Sequence, residues 1–202
     1  MSDTPLTHSD NPEPTAFTQA QLEWLPWLPP LPEDELTDRH CAGLVDAARA
    51  KSPYFRLLAR DPDTLGARTR SDKAIFYNPD AGRPRAEREL SATATLRFNG
   101  CIYCASVHAR FASHFSHREG DVQRLLDEGV SADLGPRWNA IVAASVALSA
   151  TPSDFGPEHI DGLRAVGLDD YAIADALQGA AFFNWARRLM LSLGEPQLQV
   201  GG

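Results

Sequence analysis

Asn99-Gly100-Cys101-Ile102-Tyr103-Cys104-Ala105-Ser106-Val107-His108-Ala109-Arg110-Phe111 is the stretch on which the fold and the chemistry both turn. Asn99-Gly100 reads as a break between helices, with Asn99 a cap. Beyond it, Cys101, Cys104, His108, Phe111 and Phe115 alternate three and four residues apart, the spacing of one inward-facing helical stripe. A helix over roughly 101–117 is therefore expected, with Phe111 and Phe115 continuing the stripe into the core. His114 and His117 fall off that stripe and are expected in solvent. Two thiols able to close a disulfide, beside an imidazole able to move protons, point to thiol redox chemistry.

The segment before the break is Arg85-Ala86-Glu87-Arg88-Glu89-Leu90-Ser91-Ala92-Thr93-Ala94-Thr95-Leu96, expected as a helix over roughly 84–98. Glu89 shares a face there with Ala92, Thr93 and Leu96, all small or apolar. A carboxylate on such a face must find a partner, and a histidine across the helix–helix interface would serve. Glu87 points elsewhere and is placed to pair with Arg83.

The helical pattern spreads in both directions. Upstream, Pro32-Glu33-Asp34-Glu35 reads as an acidic helix start, followed by Leu36, Cys41, Leu44 and Val45 in the next turns. Pro53 opens a second segment through Leu58, and Asp61-Pro62 a third towards Ile75, Phe76 and Tyr77. Asn78-Pro79-Asp80-Ala81-Gly82 is a loop by its turn residues. Downstream, helices are expected near 119–128, 135–149, 157–166 and 170–193. Trp138, Ile141, Val142, Ser145 and Leu148 form an apolar stripe, and Ala172, Ala174, Ala176, Ala180 and Ala181 permit close packing of the last helix. With no strand alternation and no fixed repeat, the expected fold class is all-α.

The N-terminal end is different. Residues 1 to about 18 are rich in Pro, Thr, Asp and Ser and are expected to lack fixed structure. Leu22-Glu23-Trp24-Leu25-Pro26-Trp27-Leu28-Pro29-Pro30-Leu31-Pro32 carries too many prolines for a helix. Its tryptophans and leucines are costly to leave in water, so it reads as an extended, polyproline-like arm laid across the protein's own body or a neighbouring subunit. The organisation is then an arm over 1–32, a helical domain over 33–196 and a tail over 197–202.

Composition sets the outer limits. At 202 residues, 43% hydrophobic and 23% charged, the chain suits one domain with a substantial core. A net charge of −8 with no block of Lys or Arg argues against nucleic acid and anionic membranes as partners. No apolar run reaches the length of a membrane span, and Met1-Ser2-Asp3-Thr4-Pro5 lacks the regions of a secretory signal. A cytoplasmic location follows as the expectation. The third cysteine, Cys41, stands alone and is expected as a buried small hydrophobe.

Which sulfur attacks is open on physical grounds. Cys101 is nearer the helix N-terminus, whose partial positive charge lowers a thiol pKa, whereas Cys104 is nearer His108. Here the pattern of Glu89, then Cys101-Ile102-Tyr103-Cys104, then His108 resembles the alkylhydroperoxidase D and carboxymuconolactone decarboxylase superfamily, especially its peroxidase-related branch with a redox CxxC. The likeness extends over roughly 35–195, including Phe182-Phe183-Asn184-Trp185-Ala186-Arg187-Arg188. It implies an alkylhydroperoxidase D-like helical bundle that forms a homo-oligomer and reduces hydroperoxides. Cys104 would attack the peroxide, Cys101 would resolve it, and Glu89 and His108 would form a proton relay. No cofactor is implied, and an external dithiol, lipoyl-bearing or thioredoxin-like, would reopen the disulfide. Two positions depart from relatives: Tyr103 stands where the hydroperoxidases have a further His, and Arg187-Arg188 where relatives often have Asn-Arg.

Other uses of the same residues remain in view. A thiol–disulfide oxidoreductase or redox sensor would employ the cysteine pair without a peroxide. Cys101, Cys104, His108 and Glu89 number enough to ligate zinc, although three ligands from one helix face make awkward geometry. Decarboxylation, as elsewhere in the superfamily, needs no cysteine pair. Cysteines that merely pack in a helical oligomer complete the set.

Overall fold

The computed structural model describes residues 4–79 and 84–199. In chain order its elements are β1 (Leu22–Pro26), α1 (Asp38–Leu44), α2 (Pro53–Leu58), α3 (Pro62–Tyr77), α4 (Arg85–Phe98), α5 (Ile102–Ser116), α6 (Glu119–Glu128), α7 (Pro136–Ser149), α8 (Pro157–Ala165), α9 (Asp170–Leu193) and β2 (Gly194–Leu198). The all-α reading holds, with a two-stranded sheet added among the described residues.

α4 is the central element. Every residue from Ala86 to Leu96 is buried, and the helix packs against α5, α7 and α9. A helix with neighbours on all sides needs small residues so that backbones can approach, and α4 supplies Ser91, Ala92, Thr93, Ala94 and Thr95. Their hydroxyls do not go unsatisfied. Ser91 Oγ donates to the Arg88 carbonyl at 2.8 Å and Thr93 Oγ1 to that of Glu89 at 2.8 Å, a local bond that makes a buried hydroxyl tolerable. At the crossing with α9, Gly179 lies so close that an added Cβ would sit 2.7 Å from Ser91 Oγ.

The three acidic and basic residues in the middle of α4 each hold a different neighbour. Arg88 Nη1 donates to the carbonyls of Ile75 and Asn78, at 2.7 and 3.1 Å, and so ties down the end of α3. Burial pushes its guanidinium below the usual arginine range. Glu87 accepts two bonds from Arg137 of α7, at 2.6 and 3.1 Å. Arg83, its expected partner, lies outside the described residues. Glu89 faces α5.

Helix boundaries follow from caps readable in the sequence. Asp61 and Asp169 cap α3 and α9 through bonds to Thr64 N–H and Ala172 N–H, and prolines occupy the first turns of α2, α3, α7 and α8. The acidic start at Glu33 makes only a 3₁₀ turn, Glu33–Glu35, before the chain breaks at Leu36. Thr37 then caps α1. Cys41 of α1 is exposed rather than buried.

The N-terminal segment departs most from expectation. β1 runs antiparallel to β2, pairing Leu22 with Leu198 and Pro26 with Gly194. Leu22, Trp24 and Pro26 face inward and Glu23 outward, a strand's alternation. The arm does lie on the protein's own body, but as a strand. Residues 4–18, expected without fixed structure, are also held: Leu6 N–H donates to the Trp27 carbonyl at 2.8 Å, and Asn11 Nδ2 donates to Glu195 and to the Pro196 carbonyl. The Arg97 guanidinium covers the Phe17 ring at 4.3 Å.

Candidate active site

Between α4 and α5 the chain turns at Asn99-Gly100. Gly100 has φ +81, a left-handed conformation that glycine adopts without a Cβ penalty. Asn99 closes α4 rather than opening α5, its Nδ2 donating to the Thr95 carbonyl at 2.8 Å. Cys101 then takes the N-cap position of α5, and Cys104 sits in its first turn. The two are joined as a disulfide, with Cα atoms 5.4 Å apart.

One turn further along α5, His108 faces α4. Its Nδ1–H donates to Glu89 Oε2 at 2.6 Å, while Arg85 Nε donates to Glu89 Oε1 at 3.1 Å. Glu89 is only 1% exposed, so its charge is stabilised by these two partners and little by water. Occupying Nδ1 with a proton directed at a carboxylate leaves Nε2 as the imidazole's free acceptor. The ring is held laterally by Phe183, with ring centroids 3.9 Å apart, and by Phe76 at 5.5 Å. Glu89, His108 and Cys104 all line one cavity of about 240 Å³.

Cys101 is on the far side of the disulfide. It lines a second, smaller cavity with Glu13, Pro14, Trp24 and Pro196 of the N- and C-terminal segments. Tyr103 borders both cavities. Burial pushes its phenol above the ordinary range, against the pull of the Arg110 guanidinium. Position 103 thus carries a group that stays protonated at neutral pH.

The expected stripe is partly redrawn. Cys101, Cys104 and His108 are buried, but Phe111 is only half-buried and Phe115 is 40% exposed. The face of α5 that enters the core is instead Ala105, Ala109 and Ala112. Phe111 and Phe115 form, with Tyr77, an aromatic surround for the Arg85 guanidinium, at 5.0, 4.3 and 4.1 Å from the three ring centroids. His114 and His117 are exposed, as their spacing implied. Among the described residues no three His, Cys, Asp or Glu side chains group so as to hold a metal ion, and the two sulfurs of the zinc alternative are bonded to each other.

Sequence reasoning missed several residues here. Arg85 was findable, since it stands four residues before Glu89 on one helix. Phe76 and Phe183 arrive from α3 and α9 and carried no local signal. The same is true of Arg49, Phe55 and Tyr54 in the outer cavity wall. The Phe182–Arg188 segment has a structural part: Asn184 Oδ1 accepts from Arg187 at 3.2 Å and from Asn99 Nδ2 at 3.5 Å, linking α9 to the α4–α5 turn.

The helical bundle that carries this site has the fold of alkylhydroperoxidase D-like proteins. Residues 62–147, from the start of α3 into α7, match the model of the carboxymuconolactone decarboxylase family. A comparison with curated proteins finds no match. Among solved structures, the chain is similar to the alkylhydroperoxidase AhpD core of an uncharacterized peroxidase-related protein from Ralstonia eutropha JMP134. Identity is 22% and the TM-score 0.70, over 82% of this chain and 88% of that one. An uncharacterized peroxidase-related protein from Silicibacter sp. TM1040 is 20% identical with a TM-score of 0.67, over 97% and 98%. The debrominase Bmp8 is 18% identical with a TM-score of 0.66, over 81% and 88%. At these identities the structures establish the shared fold.

Proposed function

We propose that the protein is a thiol-dependent peroxidase that reduces organic hydroperoxides through Cys104 and Cys101. The observation that carries this reading is the disulfide flanked by the buried His108–Glu89 pair in a single cavity. In the reduced protein, His108 Nε2 takes the Cys104 proton, and Glu89 stabilises the imidazolium that results. The thiolate attacks the terminal oxygen of the hydroperoxide. The S–O bond forms, the O–O bond breaks, and the alkoxide takes the proton back from His108 to leave as an alcohol. Cys104 is now a sulfenic acid. Cys101 sulfur attacks it, the S–S bond forms, and hydroxide leaves as water with the Cys101 proton. An external dithiol, lipoyl-bearing or thioredoxin-like, exchanges with the disulfide and restores both thiols. No cofactor enters the cycle. A cytoplasmic setting, where such dithiols are kept reduced, suits it, and among the described residues no helix is long and apolar enough to cross a membrane. We propose further that the working form is a homo-oligomer.

The test is to add one equivalent of an organic hydroperoxide to pre-reduced, metal-free protein and to count thiols and product alcohol. Loss of both thiols of the pair with one alcohol per subunit, well ahead of an air control, is expected. Cys104→Ser should form no alcohol, and Cys101→Ser should stop at a sulfenic acid that dimedone traps. 2,3,4-Tribromopyrrole run alongside serves as the comparison substrate, because a structure of the debrominase Bmp8, which shares the fold, holds it. Thiols that ignore the hydroperoxide but exchange readily with a protein dithiol would replace this reading with disulfide exchange.

A further inference from the structure

The outer wall of the cavity that holds Cys104 contains two arginines that the redox cycle does not use. Arg49, on the 3₁₀ turn Ala47–Lys51, and Arg68, on α3, converge on one carboxylate oxygen. Arg49 Nη2 donates to Asp72 Oδ2 at 3.1 Å, and Arg68 Nη1 to the same oxygen at 3.3 Å. Both guanidiniums are largely withdrawn from solvent, with side chains 14% and 8% exposed. Phe55 lies between them, its ring centroid 4.5 Å from the Arg49 guanidinium and 5.4 Å from that of Arg68.

The charges do not balance. Two half-buried cations share one anion, and Glu89, the other carboxylate of the cavity, is committed to Arg85 and His108. Surplus charge partly withdrawn from water favours a counter-charge at the same place. The donors are also underused. Arg49 adds only a long bond to Thr69 Oγ1 at 3.4 Å, and the buried Nε of Arg68 has no acceptor although its guanidinium also meets the Tyr54 hydroxyl and, at 5.2 Å, the Phe182 ring. A planar guanidinium fork is suited to a carboxylate, which it can bind through two parallel hydrogen bonds.

We propose that this pair binds an anionic group, a carboxylate, on the substrate, so that the hydroperoxides this protein takes are small amphipathic acids. The carboxylate neutralises the surplus charge at Arg49 and Arg68, the aromatic wall covers the substrate's apolar body, and the hydroperoxide group meets Cys104. A cavity of about 240 Å³ restricts the body to a single ring or a short chain. This rests on the peroxidase reading for the reaction, but the anion site itself does not.

The experiment compares an aryl hydroperoxide bearing a ring carboxylate with its methyl ester, as the second-order rate of thiol oxidation in pre-reduced protein. The acid should be favoured about tenfold or more, the scale of one charge-assisted hydrogen-bond pair. In Arg49→Gln and in Arg68→Gln that preference should fall towards one, whereas Arg68→Lys should retain part of it. Arg49→Gln leaves Asp72 its bond to Arg68, so it keeps an interpretable variant if Arg68→Gln does not fold. A second measurement does not depend on turnover: 4-isopropylbenzoate should bind the protein by calorimetry and slow alkylation of Cys104 by iodoacetamide. If the benzoate binds and neither hydroperoxide is consumed, the anion site stands and the peroxidase reading fails. If acid and ester react equally and the benzoate does not bind, the proposal is overturned and the peroxidase reading survives.

Discussion

Glu89 accepts from Arg85 and His108 with almost no water contact, so its charge does two things at once. It fixes the His108 tautomer with Nδ1 protonated, and it holds the Arg85 guanidinium against the aromatic rings of Tyr77, Phe111 and Phe115. Glu89→Gln keeps the shape and removes the charge. The amide can either accept from Nδ1–H or donate to Nδ1, and the second choice moves the imidazole proton to Nε2, where it blocks proton uptake from Cys104. Thiol oxidation by hydroperoxide should slow about 100-fold, the order of a general acid–base contribution, as followed by stopped flow. Urea unfolding should show a loss of about 3 kcal/mol from leaving Arg85 without its buried partner. Much of this was legible: a glutamate on a small, apolar helix face demands a partner, and His108 was the named kind. What spacing could not show is that Phe76 and Phe183 fix the ring plane, because they come from helices distant in sequence.

Among elements, the contact of α4 with α9 is a close constraint beside the site. Gly179→Ala gains about 1 kcal/mol of helix propensity but forces a methyl against Ser91 Oγ in a region with no slack, which costs about 1–3 kcal/mol. The expected result is a net loss of about 1 kcal/mol by chemical denaturation. Ser91→Ala in the same chain should recover it, a non-additivity that marks the two as direct neighbours. The helices themselves were readable because each carries its own period and its own caps, as with Asp61-Pro62 for α3 and Asp169 for α9. β1 was not, although Leu22, Trp24 and Pro26 alternate with Glu23 and Leu25. Its prolines suggested a polyproline path, and its partner strand lies at the opposite end of the chain.

At the scale of the whole molecule, the outward side of α9 is mainly apolar, interrupted by Gln178 and Arg188. Tyr171 and Trp185 are 60% and 43% exposed, and Ala174 and Ala181 lie exposed between them. An exposed apolar strip of this kind favours association, which supports the proposed homo-oligomer. Sedimentation at micromolar concentration should therefore give a species larger than one chain. Trp185→Glu should shift it towards monomer by placing a charge on the contact, with helix content unchanged by circular dichroism.

By itself the sequence determined the all-α class, the order and approximate limits of the main helices, and the placing of Cys101, Cys104 and His108 within two turns of one helix start, because periodicity, caps and the CxxC spacing are local properties written within one or two turns. Only the tertiary structure decided the rest: the pairing of the two chain ends, the exposure of Cys41 and Phe115, and the convergence of Arg49 and Arg68 on Asp72 beside Cys104. Burial and charge balance depend on which surfaces meet, and that is settled when α3, α4, α5 and α9 pack around a common cavity.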